Sequence, residues 1–100
     1  MKNIYSNIFK FNKNSLSKCV KYLKKNEVVA LPTETVYGLG GNAYSRSAVL
    51  KIYKIKKRPK SNPLIIHYSN YKNAIKDVEI NKDFIKLYKR FSPGPITFIL

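Results

Sequence analysis

Apolar positions recur along the chain at two different spacings. Leu16, Cys19, Val20 and Leu23 fall at i, i+3, i+4 and i+7 with lysines on the other side, which predicts an amphipathic helix capped by Asn14 or Ser15. Ahead of it, Ile8–Phe11 is apolar and aromatic and predicts a short strand. Val28–Leu31 is a run of four apolar residues, fit for a strand buried on both faces, and Pro32 ends its ladder because it has no N–H to give. Ala48, Val49, Ile52 and Ile55 restore the helical spacing; Ser45 or Ser47 caps this second helix, and Pro59 disfavours helical geometry at Arg58. After the turn signal Asn62-Pro63, Leu64–Ile66 predicts a second buried strand, and Ser69 or Asn70 starts a short helix running to about Lys76. Asn81 caps a further helix with Phe84, Leu87, Tyr88 and Phe91 on one face. Ser92-Pro93-Gly94-Pro95 is a sharp turn, and Ile96–Leu100 opens a strand. Helices alternating with strands predict an α/β fold, a sheet with flanking helices, and the short turn before Ile96 also permits mixed strand directions, hence a mixed sheet.

Composition narrows the class. At 100 residues the chain is one domain at most, and with 44% apolar and 13% aromatic residues it is not disordered. No apolar run approaches the ~20 residues of a membrane span, and Asn and Lys interrupt every apolar run of Met1–Asn14, so no signal-peptide core is present. The single cysteine, Cys19, cannot form an internal disulfide, which suits a cytoplasmic protein; its place in an apolar stripe reads as a structural thiol. Met1 looks like a true start. Leu100 ends the chain inside an apolar run straight after a tight turn, which predicts a domain truncated at the C-terminus.

The net charge of +15 has two readings. One is a polyanionic partner: ATP, tRNA or another nucleic acid. The other is compositional drift, since the lysines are spread along the whole chain and only Arg46, Arg58 and Arg90 are arginines.

Candidate chemistry gathers at loops that would follow strands or helix ends. The strand Val28–Leu31 opens into Thr33, Glu34, Thr35 and Tyr37 and then Gly38, Gly40 and Gly41. In α/β sheets such loops collect ligands. The hydroxyls of Thr33 and Thr35 can bind the amine and carboxylate of a small amino acid. Lys56 and Arg58 can bind phosphates, one as a point charge and the other as a fork. His67, the one histidine, ends an apolar strand. Each has a structural alternative: the threonines as turn caps, the cations as a helix C-terminus favoured by the macrodipole, His67 as an edge residue. Glu34, the one acid between Val28 and Ile75, can stabilise the loop or orient a ligand amine.

Three ordered motifs carry a resemblance: Pro32-Thr33-Glu34-Thr35-Val36-Tyr37-Gly38-Leu39-Gly40, then Lys56-x-Arg58-Pro59-x-x-Asn62-Pro63-Leu64-Ile65, then Pro93-Gly94-Pro95-x-Thr97. Together they resemble the YrdC/Sua5 family of threonylcarbamoyl-AMP synthases, over about Val28 to Leu100. The resemblance implies a twisted α/β sheet around a deep, positively charged cavity, of which residues 1–100 would be the N-terminal part of one YrdC-like domain. It implies that L-threonine, bicarbonate and ATP give L-threonylcarbamoyladenylate and pyrophosphate for tRNA t6A37 modification. On this pattern Thr35 and His67 contact threonine with Thr33 and Tyr37 nearby, Arg58 and Asn62 contact ATP, and Lys56 and Arg58 offset charge on the polyphosphate. Mg²⁺ would arrive mainly with the nucleotide, because no Asp/Glu cluster in this stretch looks like a metal cage. The second half of the family domain, with its Ser-x-Asn motif, lies beyond these residues, so the fragment alone is expected to bind ligands poorly or not to fold. Two alternatives follow from the same resemblance: a non-catalytic double-stranded RNA- or tRNA-binding module, and one domain of a hydrogenase-maturation carbamoyltransferase, for which Met1 leaves no room upstream.

Overall fold

A computed structural model describes residues 6–100. These form two compact units, the first ending at Leu64 and the second spanning Ile65–Leu100.

In the first unit, helix α1 spans Lys13–Lys24. Its cap is Asn12 rather than Asn14 or Ser15. The Asn12 side chain accepts from the Ser15 N–H at 2.9 Å, and the Ser15 hydroxyl accepts from the Asn12 N–H at 2.9 Å. This capping box satisfies two orphan donors and buries Ser15. Asn26, at φ 61°, turns the chain out of α1 into strand β1, Val29–Pro32. Strand β2, Tyr37–Gly40, returns antiparallel, with Val29 opposite Gly40 and Pro32 opposite Tyr37. Pro32 therefore belongs to the ladder, at its terminal pair, where a residue without an N–H is tolerated.

Helix α2, Arg46–Lys56, starts at Ser45, whose hydroxyl accepts from the Ala48 N–H at 3.2 Å. It stops where sequence predicts. Lys57 adopts the left-handed conformation at φ 53°, and the Arg58 N–H reaches back to the Tyr53 carbonyl at 3.1 Å, the 6→1 bond of a Schellman ending. Ala48 and Ile52 are the core of this unit. A Cβ on Gly41 would stand 3.3 Å from both Ala48 Cβ and Ile52 Cδ1, so the chain leaving β2 passes so close to α2 that a side chain there would have to push its neighbours aside by a few tenths of an ångström. Lys51 ties α2 to the Asn26 turn: its ammonium lies 3.2 Å from a Glu27 carboxylate oxygen and 3.4 Å from the Asn26 carbonyl.

In the second unit, the expected short helix is a single 3-10 turn, Tyr71–Asn73, capped by Asn70 and followed by turns to Asp77. Helix α3, Lys82–Phe91, starts at Asn81 as predicted, with the Asn81 side chain accepting from the Phe84 N–H at 2.8 Å. Phe84 is the hub of an aromatic cluster. Its ring centroid lies 4.9 Å from that of Phe98, 5.8 Å from Tyr88 and 6.3 Å from Tyr71. The Ser92–Pro93 peptide is cis, and Gly94 fits beneath the Phe91 carbonyl, into which any Cβ would run.

Three expected strands do not form a ladder. Ile8–Phe11, Leu64–Ile66 and Ile96–Leu100 carry no β pairing, and among the described residues the one sheet is the β1–β2 hairpin. A strand exists only where a second segment accepts its backbone bonds, and a lone hairpin has two edges. The same lack of cover exposes β1: Val29 is half-buried and Ala30, Leu31 and Pro32 are exposed, so β1 is not buried on both faces. The helical stripes are covered in part. Cys19 is half-buried and Leu16 exposed in α1, Ile55 is exposed in α2, and Leu87 and Phe91 in α3.

Candidate functional site

Two of the predicted clusters form local structures within the first unit. The first is the turn of the hairpin. Thr33 Oγ1 donates to the Val36 carbonyl and accepts from the Val36 N–H at 3.2 Å and the Thr35 N–H at 3.4 Å. A single hydroxyl thus closes the whole turn, so Thr33 acts as a turn former. Thr35 contributes only its N–H; its own hydroxyl is exposed with no protein partner among the described residues. Glu34 is exposed in the same turn, and Tyr37, at 79% exposure, opens β2 from its end. The hairpin therefore presents a hydroxyl, a carboxylate and a phenol to solvent from one bend of four to five residues.

The second cluster is the loop leaving α2. Lys56 is the last helical residue, and the left-handed Lys57 swings the chain so that Arg58 follows in non-helical backbone. The Asn62 N–H donates to the Pro59 carbonyl at 3.1 Å, closing a turn. The Tyr53 hydroxyl, one turn back in α2, donates to the Asn62 carbonyl at 2.5 Å. Tyr53 thus clasps the far end of the Lys56–Asn62 loop to the helix that starts it. Sequence reasoning passed over this residue: it lies beside the apolar stripe and reads as an ordinary half-buried aromatic. The side chains of Lys56, Arg58 and Asn62 are exposed, and neither cation forms an ion pair among the described residues. A cation left without a carboxylate at the end of a Schellman ending is free to take a phosphate.

His67 belongs to the second unit and is exposed. Two shallow depressions of the first unit, about 270 and 240 Å³, are lined by other residues: Val20, Leu23, Lys24, Gly41 and Asn42 in one, and Phe9, Lys18, Lys21, Tyr22 and Lys25 in the other. Among the described residues no three His, Cys, Asp or Glu side chains cluster to hold a metal ion.

The hydroxyl-bearing bend and the cationic loop leaving a helix can each be set beside known proteins. The Sua5/YciO/YrdC family model, described as "Telomere recombination", matches residues 21–100. The chain belongs to the Sua5/YciO/YrdC family. Within this family it is similar to the threonylcarbamoyl-AMP synthase of Bacillus subtilis, 45% identical over 91 residues, covering 89% of this chain and 26% of that protein. It is equally similar to the Pyrococcus abyssi threonylcarbamoyl-AMP synthase, 45% identical over 80 residues, covering 79% of this chain and 24% of the relative. A putative threonylcarbamoyl-AMP synthase of Methanocaldococcus jannaschii, 34% identical, is matched along 100% of this chain and 50% of its own length. Among solved structures, the crystal structure of P. abyssi Sua5 complexed with L-threonine superposes with a TM-score of 0.75 at 37% identity, over 86% of this chain and 26% of that one. The α/β fold of the family is therefore the fold of this chain. The chain spans about a quarter of the length of the first two relatives.

Proposed function

We propose that residues 1–100 form the N-terminal part of a single YrdC-like domain, and that the whole protein is a threonylcarbamoyl-AMP synthase of the cytoplasm. It would make L-threonylcarbamoyladenylate and pyrophosphate from L-threonine, bicarbonate and ATP, for tRNA t6A37 modification. The observation that carries the reading is the superposition on a Sua5 structure complexed with L-threonine. In this chain the matching fold offers a bend whose Thr35 hydroxyl has no partner among the described residues, and a clasped loop whose Lys56 and Arg58 form no ion pair among them. No helix among the described residues is long and apolar enough to cross a membrane.

In this mechanism threonine and bicarbonate condense to the N-carboxylate with loss of water. A carboxylate oxygen then attacks the α-phosphorus of ATP; the new P–O bond forms as the bond to pyrophosphate breaks. Such a transfer needs positioning and charge neutralisation more than a covalent nucleophile. Thr35, with Tyr37 and His67, would bind threonine. Thr33 would hold the turn that aims Thr35. Arg58 and Asn62 would bind the nucleotide, and Lys56 and Arg58 would offset charge as pyrophosphate departs. Mg²⁺ would arrive mainly with the nucleotide. The threonylcarbamoyl-transferase machinery would consume the product.

The test is pyrophosphate release by the full-length protein. Turnover that requires both threonine and bicarbonate is expected, and turnover indifferent to threonine would defeat the reading. Lys56→Ala and Arg58→Ala are each expected to lower turnover by at least ~10²-fold, the scale of a lost transition-state charge contact. Near-normal rates in either would remove the assigned roles.

A further inference from the structure

The tyrosine clasp on the Lys56–Asn62 loop has a counterpart in the second unit. Residues 65–67, which open that unit, make no backbone hydrogen bond among the described residues, so no ladder fixes the chain that carries His67. The next residue is held by its side chain. The Tyr68 hydroxyl donates to an Asp77 carboxylate oxygen at 2.8 Å, reaching nine residues ahead as Tyr53 does. Tyr68 is half-buried and turned to Asp77, whereas His67 beside it is exposed. Asp77 is a firm anchor for this bond. Its N–H donates to the Ala74 carbonyl at 2.9 Å, and Ala74 is 6% exposed. The 3-10 turn leading to Ala74 is closed by its Asn70 cap, and the Asn73 amide donates to the Ser69 hydroxyl at 2.5 Å. The Tyr71 ring of that turn lies 4.9 Å from the Tyr88 ring on α3. The clasp therefore runs from a segment without a ladder to one tied into the aromatic cluster. A hydroxyl donating to a carboxylate is charge-assisted, roughly twice as strong as a neutral pair.

We propose that Tyr68 and Asp77 are a positioning pair for His67, fixing the place from which its imidazole meets the substrate amino acid. The proposal rests on the reading that His67 binds threonine, and deepens it. Tyr68 acts through the backbone. Consecutive Cα atoms stand ~3.8 Å apart across a planar peptide, so pinning the Tyr68 side chain restricts where the His67 side chain can start. Without the clasp, the segment spends part of its time with the imidazole misplaced, and the apparent affinity falls with the competent fraction. Such a loss belongs to binding and not to the departure of pyrophosphate, so it enters KM for threonine and spares kcat.

The experiment is steady-state pyrophosphate release by the full-length protein, titrated separately with threonine and ATP. Tyr68→Phe keeps the half-buried ring and removes one oxygen. It is expected to raise KM for threonine about fivefold, the scale of one hydrogen bond, and to leave kcat and KM for ATP within twofold. Asp77→Ala should match it. Asp77→Asn keeps an acceptor oxygen for the phenol and should recover most of the loss. The double variant Tyr68→Phe, Asp77→Ala should lose no more than either single change, because both remove the same bond. Asn81→Ala removes the cap of α3 in the same unit and supplies the structural control: a lower urea midpoint with KM for threonine unchanged. His67→Gln separates the two levels. If it raises KM for threonine and Tyr68→Phe does not, the positioning pair is overturned while the threonine site stands. If His67→Gln leaves that KM unchanged, the threonine-site reading fails and the proposal goes with it. A double variant whose loss is the product of the two single losses, equal rises in the two KM values, or an Asn81→Ala rise as large as that of Tyr68→Phe would also overturn the pair.

Discussion

Tyr53→Phe removes one oxygen and nothing else. The half-buried ring remains in place on α2, but the Asn62 carbonyl loses its 2.5 Å donor and with it the clasp on the Lys56–Asn62 loop. That carbonyl is exposed, so water replaces the phenol and no buried polar group is orphaned. The loss is then the net worth of one hydrogen bond, about 1 kcal/mol. If that bond holds the loop in its nucleotide-binding shape, the cost appears as a lowered competent fraction, and 1 kcal/mol corresponds to about fivefold in KM for ATP. KM for threonine should stay within twofold, because Thr35 is held by its own turn through Thr33. The drop is far smaller than the ~10²-fold expected for Lys56→Ala, because Tyr53 positions the loop and touches no phosphate. Steady-state pyrophosphate release by the full-length protein, titrated separately with ATP and threonine, reads both constants. A KM for ATP unchanged by Tyr53→Phe, or equal rises in the two KM values, would refute the positioning role.

The two hairpin threonines should separate. Thr35→Val should raise KM for threonine by ~10-fold or more, the scale of a lost hydrogen bond to a charged group, with little change in the urea midpoint; Thr33→Val should lower stability by about 1 kcal/mol as the turn loses its closing hydroxyl. Phe84→Ala empties the centre of the α3 aromatic cluster and should cost ~3–5 kcal/mol by chemical denaturation, with Phe84→Leu costing visibly less. Gly94→Ala pushes a Cβ into the Phe91 carbonyl and should destabilise by ~1–3 kcal/mol in the same assay; an unchanged midpoint would mean that the bend relaxes freely.

What the sequence determined by itself was local. The Asn81 cap, a serine cap for α2 and the stop before Pro59 follow from side chains that bond or clash within four or five residues, and the structure has them, with Ser45 as the serine. Phe84 was legible as one residue of an apolar face, and its place at the centre of a cluster with Tyr71 and Phe98 was decided by the fold. The start of α1 was misread by two or three residues because Asn12, Asn14 and Ser15 are all competent caps, and only the reciprocal Asn12–Ser15 bonds choose between them. The motifs around Thr35 and Arg58 were legible for the same reason of short range, and they pointed to the family. Pairing was not legible. Ile8–Phe11, Leu64–Ile66 and Ile96–Leu100 have strand composition, yet composition does not supply a partner for backbone hydrogen bonds; Tyr37–Gly40 looked like loop, yet it became a strand because the Thr33 turn folds it onto β1. Tyr53 reaching nine residues ahead to Asn62, and Lys51 reaching back to Glu27, were likewise decided in three dimensions. A helix cap is settled by bonds within one turn, whereas a ladder or a clasp exists only once a separate segment has been brought beside it.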